Sequence, residues 1–179
     1  MIKSVIISGP PAIGKTTIAK GIGKEFDLRH LSGGDILKEL AQDEGFDTGG
    51  DDWWDTPEGM SFLSHRQENS EFDKKVDAKL KKLFLEGNVV ITSYTLPWIV
   101  EGGVKIWLAG SMENSARRMT VRDNLSKNDT VKIVQKRYGE NKIIYKTLYG
   151  FEFGEDLDAV HVLEVAKSTV RELFEIKTT

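Results

Sequence analysis

The chain has 179 residues, with 25 Lys plus Arg against 28 Asp plus Glu, no Cys and a formal charge of −3. At ~100–200 residues per domain this length suits one domain with room for a small insertion. The absence of Cys excludes a disulfide scaffold, thiolate zinc sites and thiol catalysis, and the near-balanced charge argues against a dedicated nucleic-acid binder. In chain order, Ile2 to Ser8 is rich in Ile and Val and predicts a buried strand. Lys15 to Phe26 predicts a helix with Ile18, Ile22 and Phe26 on one face. A second helix is expected over Asp35 to Asp43, entered from a Ser32-Gly33-Gly34 turn, and residues 45–60 read as loop. Phe72 to Leu85 predicts a helix with Val76, Leu80, Leu83 and Phe84 as its apolar stripe, ended at Gly87-Asn88.

Asn88 to Ser93 and Val104 to Ala109 predict two more short buried strands. Met112 to Asp123 and Thr130 to Leu148 are expected to be helices, separated by a polar break at Ser126-Lys127-Asn128-Asp129. Ala159 to Leu163 suits a last strand and Val165 to Ile176 a closing helix. Strands separated by helices imply right-handed crossovers and a mostly parallel sheet. The apolar run 89–100 is interrupted by Thr92, Ser93, Thr95 and Pro97 and falls short of the ~18 residues a membrane span needs. The first apolar run, Val5-Ile6-Ile7, is too short for a secretory signal, so the expectation is an untargeted, cytoplasmic chain.

Gly9-Pro10-Pro11-Ala12-Ile13-Gly14-Lys15-Thr16 matches the phosphate-binding pattern G-x-x-x-x-G-K-[ST] in full, and Thr17 follows it. The pattern sits between a predicted strand and a predicted helix, the context it requires. Gly9 and Gly14 let backbone N–H groups approach a polyphosphate. The free N–H groups and dipole of the helix then face the anion. Lys15 supplies a point charge for the outer phosphates, and the Thr16 hydroxyl can ligate Mg²⁺.

Five segments, V-I-I-S-G-P-P-A-I-G-K-T-T-I-A-K (5–20), H-L-S-G-G-D-I-L-K-E-L-A (30–41), E-F-D-K-K-V-D (71–77), R-R-M-T-V-R-D (117–123) and Y-K-T-L-Y-G-F (145–151), resemble the nucleoside-monophosphate kinases, most closely the archaeal-type cytidylate kinases. The resemblance runs from Ser4 to about Leu163. It implies a three-layer α/β fold with a five-stranded parallel sheet and helices on both faces. It also implies transfer of the γ-phosphoryl of ATP to CMP or dCMP with Mg²⁺. The expected layout is one domain over 1–179, with an acceptor-binding insertion at about 34–66 and a short lid at about 118–137. The expected partners are small-molecule nucleotides, not nucleic acid or membrane, and the chain is expected to act as a monomer.

The resemblance makes Arg118 an ATP contact and gives Arg122 and Arg137 the task of neutralising the transferring charge. Arg118 and Arg122 are four apart, hence on one helical face; the alternative is a solvated face paired with Glu113, Asp123 or Glu140. Asp35 is placed near the metal's water shell at the start of the acceptor helix, and a helix cap is its plainer role. Lys38 and Tyr94 stand where the more familiar cytidylate kinases carry Arg, and Arg66 is the residue that can compensate. Asp73 and Asp77, four apart, offer acceptors for the exocyclic amine of cytosine, or else form a solvated face paired with Lys74, Lys75 and Lys79. Trp53 and Trp54 either stack on a base or pack the insertion onto the core. Rival readings are a kinase for another acceptor (AMP, UMP or a non-nucleotide alcohol) and a nucleotide-dependent regulatory module.

Overall fold

The structure, a computed structural model, describes residues 4–49, 53–158 and 161–164. Its strands are β1 (Ser4–Ser8), β2 (Arg29–Ser32), β3 (Val89–Thr92), β4 (Val104–Ala109) and β5 (His161–Glu164). They form one sheet in the order β2-β3-β1-β4-β5, with every pairing parallel. The helices are α1 (Lys15–Phe26), α2 (Gly33–Asp43), α3 (Pro57–Glu68), α4 (Glu71–Glu86), α5 (Leu96–Ile99), α6 (Met112–Asp123) and α7 (Lys127–Tyr149), with a 3₁₀ turn at Trp53–Asp55. The closing helix expected at 165–176 and the first residues of β1's predicted span lie outside the described residues. Among the described residues no helix is long and apolar enough to cross a membrane.

Alternation along the strands sorts the core into two layers. Ile7, Val90, Ile106 and Leu108 face α1, where Ile18, Ala19 and Ile22 meet them. Ile6, Val89 and Ile91 face the opposite side, covered by Ile36 and Leu37 of α2, Val76 and Leu80 of α4, and Trp53 and Phe62 of the insertion. Trp107 extends that second face into an aromatic cluster with Tyr145, Phe151 and Phe153. Burying these rings ties the 151–153 segment and the end of α7 to β4; Trp98 stacks on Phe151 at a 4.5 Å centroid separation.

Several expectations need correction. The 45–60 segment is not loop throughout: Thr56 accepts a hydrogen bond from Gly59 N, Pro57 fills the first helical position, and α3 follows. The polar break between α6 and α7 is shorter than expected, because Ser126 caps Asp129 N and so turns Lys127-Asn128-Asp129 into the first turn of α7. The cap of α2 is Ser32, whose hydroxyl accepts from Asp35 N at 3.3 Å, so Asp35 lies inside the first turn. Phe26 is 55% exposed and does not share the buried face of Ile18 and Ile22. Asp73 and Asp77 are buried, so they do not form a solvated face.

Candidate active site

β1 and β3 end side by side, and the chain leaving each one builds the site. After Ser8 the loop turns through Gly9 at φ 145°, where a Cβ would sit 2.7 Å from the Leu108 carbonyl oxygen. Only glycine allows that approach of loop to β4. Ala12 (φ 55°) and Gly14 (φ 106°) take left-handed conformations before α1 begins at Lys15. The first turn of α1 carries no acidic residue and no side-chain cap, which leaves its N–H groups to an anion.

Lys15 Nζ folds back over this loop and donates to Gly9 O at 3.0 Å and Pro10 O at 2.6 Å. The same ammonium lies 4.6 Å from the centroid of the Tyr94 ring, which the Ser93-Tyr94-Thr95 turn brings from the end of β3. Ser8 Oγ closes the turn by donating to Tyr94 O at 3.3 Å. Burial, with help from the nearby Arg137 charge, holds the Lys15 ammonium well below the usual lysine range.

The helical pair α6–α7 delivers the arginines. Arg118 Nη1 donates to Ile13 O at 3.0 Å, so this side chain reaches the loop itself. Arg122 and Arg137 both ion-pair with Asp55, one on each carboxylate oxygen, and Arg122 also clasps Asp123, with Nη2 donating at 2.6 Å. Burial pushes the Asp55 carboxyl up, against the pull of Arg137 and Arg122. Asp55 was not among the residues expected from the sequence, although it stands directly after Trp53 and Trp54.

A second polar cluster lies between α3, α4, α5 and α7. Arg66 and Asp73 form a buried fork-to-fork pair, with Nε donating to Oδ2 at 3.1 Å, and the Tyr145 hydroxyl sits beside it. Burial pushes the Arg66 guanidinium down, and the charges and hydrogen bonds of Asp73 and Tyr145 together outweigh it and raise it. Asp77 accepts from Thr95 Oγ1 on one oxygen and from Tyr149 OH, at 2.7 Å, on the other. Burial pushes the Asp77 carboxyl up to about 6. Tyr94 and Tyr145 rings, 6.2 Å apart, link this cluster to Lys15. Asp35 and Lys38 lie apart from it, along a groove that Gln42, Phe46 and Asp47 complete. Trp53 is 1% exposed and meets Phe62 at 5.7 Å, which makes it a core residue and not a base platform. No role was assigned to Thr95, Tyr145 or Tyr149 from the sequence; Tyr145 and Tyr149 are four apart on α7, but their partners Arg66 and Asp77 lie on α3 and α4, which spacing along α7 does not reveal.

The donor set suits a hard cation bound mainly by phosphates. Thr16 offers one hydroxyl at the start of α1, and the described residues contain no cluster of three or more His, Cys, Asp or Glu able to hold a metal alone.

Comparison with known proteins fits this geometry. Residues 8–113 match the family described as an AAA domain. The cytidylate kinase of Methanocaldococcus jannaschii is 29% identical over 178 residues, covering 96% of this chain and 93% of that protein. The cytidylate kinase of Pyrobaculum calidifontis is 31% identical over 167 residues, covering 92% of this chain and 83% of that protein. The chain belongs to the cytidylate kinase family. The fold is also that of the shikimate kinase of Bacteroides thetaiotaomicron, with a TM-score of 0.58 at 12% identity and 100% of both chains covered. An uncharacterized protein from Eubacterium ventriosum has a TM-score of 0.61 at 13% identity, covering 98% of this chain and 96% of that one. In this chain Arg118 meets the loop at Ile13, Arg122 and Arg137 meet at Asp55, and the Arg66 and Asp77 clusters join the same region through Tyr94 and Tyr145.

Proposed function

We propose that this chain transfers the γ-phosphoryl group of ATP to CMP or dCMP, giving ADP and the cytidine diphosphate. The observation that carries the reading is the convergence of Arg118 and Arg137, from two helices, on the loop that holds Lys15. A phosphate monoester has its second pKa near ~6, so the acceptor oxygen is already an anion at neutral pH and needs no general base. The barrier is the repulsion between two anionic groups held in line. Lys15, Arg122 and Arg137 answer it with fixed positive charge. Burial chiefly depresses the lysine, and a polyphosphate between Lys15 and Arg137 also relieves the repulsion that adds to it.

Main-chain amides of Gly9, Pro10, Pro11, Ala12, Ile13, Gly14, Lys15, Thr16 and Thr17 (all but the two prolines carrying N–H) form the donor cradle, and Arg118 braces it at Ile13 O. Thr16 would hold Mg²⁺, with Asp35 near its water shell; the ion supplies neutralisation of the phosphate charge. On the acceptor side, Lys38 borders the groove beside α2. Arg66, paired with Asp73 and with the Tyr145 hydroxyl beside it, supplies the buried positive charge on this side. Asp77 has lone pairs left to accept from the exocyclic amine of cytosine, with Asp73 holding Arg66 beside it. The insertion at about 34–66 then acts as the acceptor arm and the α6–α7 region, about 118–137, as the lid.

Steady-state ADP release with MgATP and a panel of CMP, dCMP, UMP and AMP tests this reading. CMP or dCMP should give the highest kcat/KM. Fast turnover with AMP and none with either cytidine nucleotide would overturn the acceptor assignment.

A further inference from the structure

Asp55 occupies a position that the donor loop and the acceptor clusters do not explain. It belongs to the insertion, yet its two oxygens are spent on Arg137 of α7 and Arg122 of α6. We propose that Asp55 is a positioning residue, holding Arg122 and Arg137 side by side in the arrangement in which they meet the transferring phosphoryl group. The inference rests on the kinase reading above.

The foundation under Asp55 is rigid. It ends a 3₁₀ turn whose Trp53 is 1% exposed. Thr56 Oγ1 donates to Trp53 O at 2.7 Å and accepts from Gly59 N at 3.2 Å. The turn also presses so closely on α3 that a Cβ at residue 59 would lie 2.1 Å from Trp53 O. The two arginines, by contrast, are long side chains with many rotamers. Left alone they would also repel each other and Lys15, whose ammonium already feels Arg137. A fixed carboxylate between them removes both obstacles before nucleotide arrives.

Asp55 is placed to support the arginines and not to imitate a phosphate. Its side chain is 3% exposed, so it is enclosed by protein and not lodged in an open cleft. Each arginine also keeps donors for substrate: Arg137 gives Asp55 only Nη1, and Arg122, whose Nη2 serves Asp55 and Asp123 and whose Nε serves Asp123, keeps Nη1.

The test compares full-length wild type, Asp55→Asn, Arg137→Ala and the double variant. The readouts are kcat and KM for MgATP and CMP, together with the slow hydrolysis of ATP to water without acceptor. Asp55→Asn should lower kcat by about 10–100-fold, the range seen when a supporting hydrogen-bond partner is lost, with KM for MgATP changed by less than about threefold. Hydrolysis should fall by the same factor. In the Arg137→Ala background the same substitution should cost less than about threefold, because it acts through that arginine. A kcat that stays at wild-type level, or losses that multiply in the double variant, would overturn the proposal. So would faster hydrolysis with tighter MgATP, which would make Asp55 a competitor of the phosphates. Should Asp55→Asn not fold, Asp55→Glu serves the same comparison with the charge retained: a kcat loss of at least about threefold, absent in the Arg137→Ala background, supports the proposal, and its absence overturns it. Wild-type protein that hydrolyses ATP but leaves CMP untouched refutes the acceptor assignment, and the hydrolysis rates then decide the role of Asp55.

Discussion

Replacing Asp77 by asparagine removes a negative charge from a place where burial penalises it. The carboxyl stands at about 6 in the folded chain against an ordinary value of 3.8. At 1.36 kcal/mol per pH unit, the difference corresponds to about 3 kcal/mol of folding free energy. The sign follows from proton binding. Between 3.8 and about 6 the folded state holds the proton and the unfolded state has released it, so stability falls as pH rises through that window. Below it the penalty is absent; above it the penalty is complete. Asparagine cannot ionise, and it fits the same two partners, its oxygen accepting from Thr95 and its NH₂ donating to the Tyr149 hydroxyl. Urea denaturation of both proteins at pH 4.5, 6 and 8 measures the effect. Asp77→Asn should gain on wild type by about 2 kcal/mol between the lowest and highest pH, since pH 4.5 already lies inside the window. The same variant should raise KM for CMP, because an amide NH₂ faces the cytosine amine donor to donor. A stability difference that stays flat from pH 4.5 to 8 would refute the burial argument.

Lys15→Ala should cut phosphoryl transfer by at least about 10²–10³-fold and abolish MgATP binding in calorimetry. It should leave the thermal midpoint at neutral pH unchanged or higher, because burial already disfavours the lysine charge in the folded chain. Arg66→Ala strands Asp73 in the interior and should cost about 3–5 kcal/mol in denaturant titration, whereas the apolar pair Arg66→Met with Asp73→Leu should recover most of that. Gly139→Ala meets nothing within 4 Å in the middle of α7. It should stabilise by about 0.5–1 kcal/mol through helix propensity alone, and a loss of stability by the same titration would contradict the open space seen there.

What could be read from the chain was whatever is encoded locally. The phosphate loop is contiguous, and the helix over Lys15–Phe26, the strand over Val104–Ala109 and the helix over Met112–Asp123 follow from period and flanking residues. The helix at Pro57–Glu68 had its own start signal in Thr56-Pro57-Glu58, but its apolar positions are too few and irregular to show a period. β2 is four residues long, lies at the edge and has no buried residue, so no apolar run announces it. The spacing of Asp73 and Asp77 placed both on one flank of α4, but their partners come from α3, α5's entry and α7, which no local pattern predicts. Asp55 is the clearest case. Its meaning lies in Arg122 and Arg137, 67 and 82 residues downstream.

The 23 residues of α7 serve two separate sets of neighbours. Tyr145 and Tyr149 rivet its last turns to the Arg66 and Asp77 clusters, and Trp107 and Phe153 close around the same end. At 1.5 Å per residue, Arg137 rides roughly 12 Å up the shaft from Tyr145, beyond an interior glycine. The carboxyl half is therefore fastened to the sheet through its aromatic cluster, and the amino half packs on α6 through Val134 and carries the guanidinium that meets Asp55. Substitutions near Tyr145 and Tyr149 therefore bear on the Arg66 and Asp77 clusters, and those near Arg137 on Asp55 and the turn that carries it.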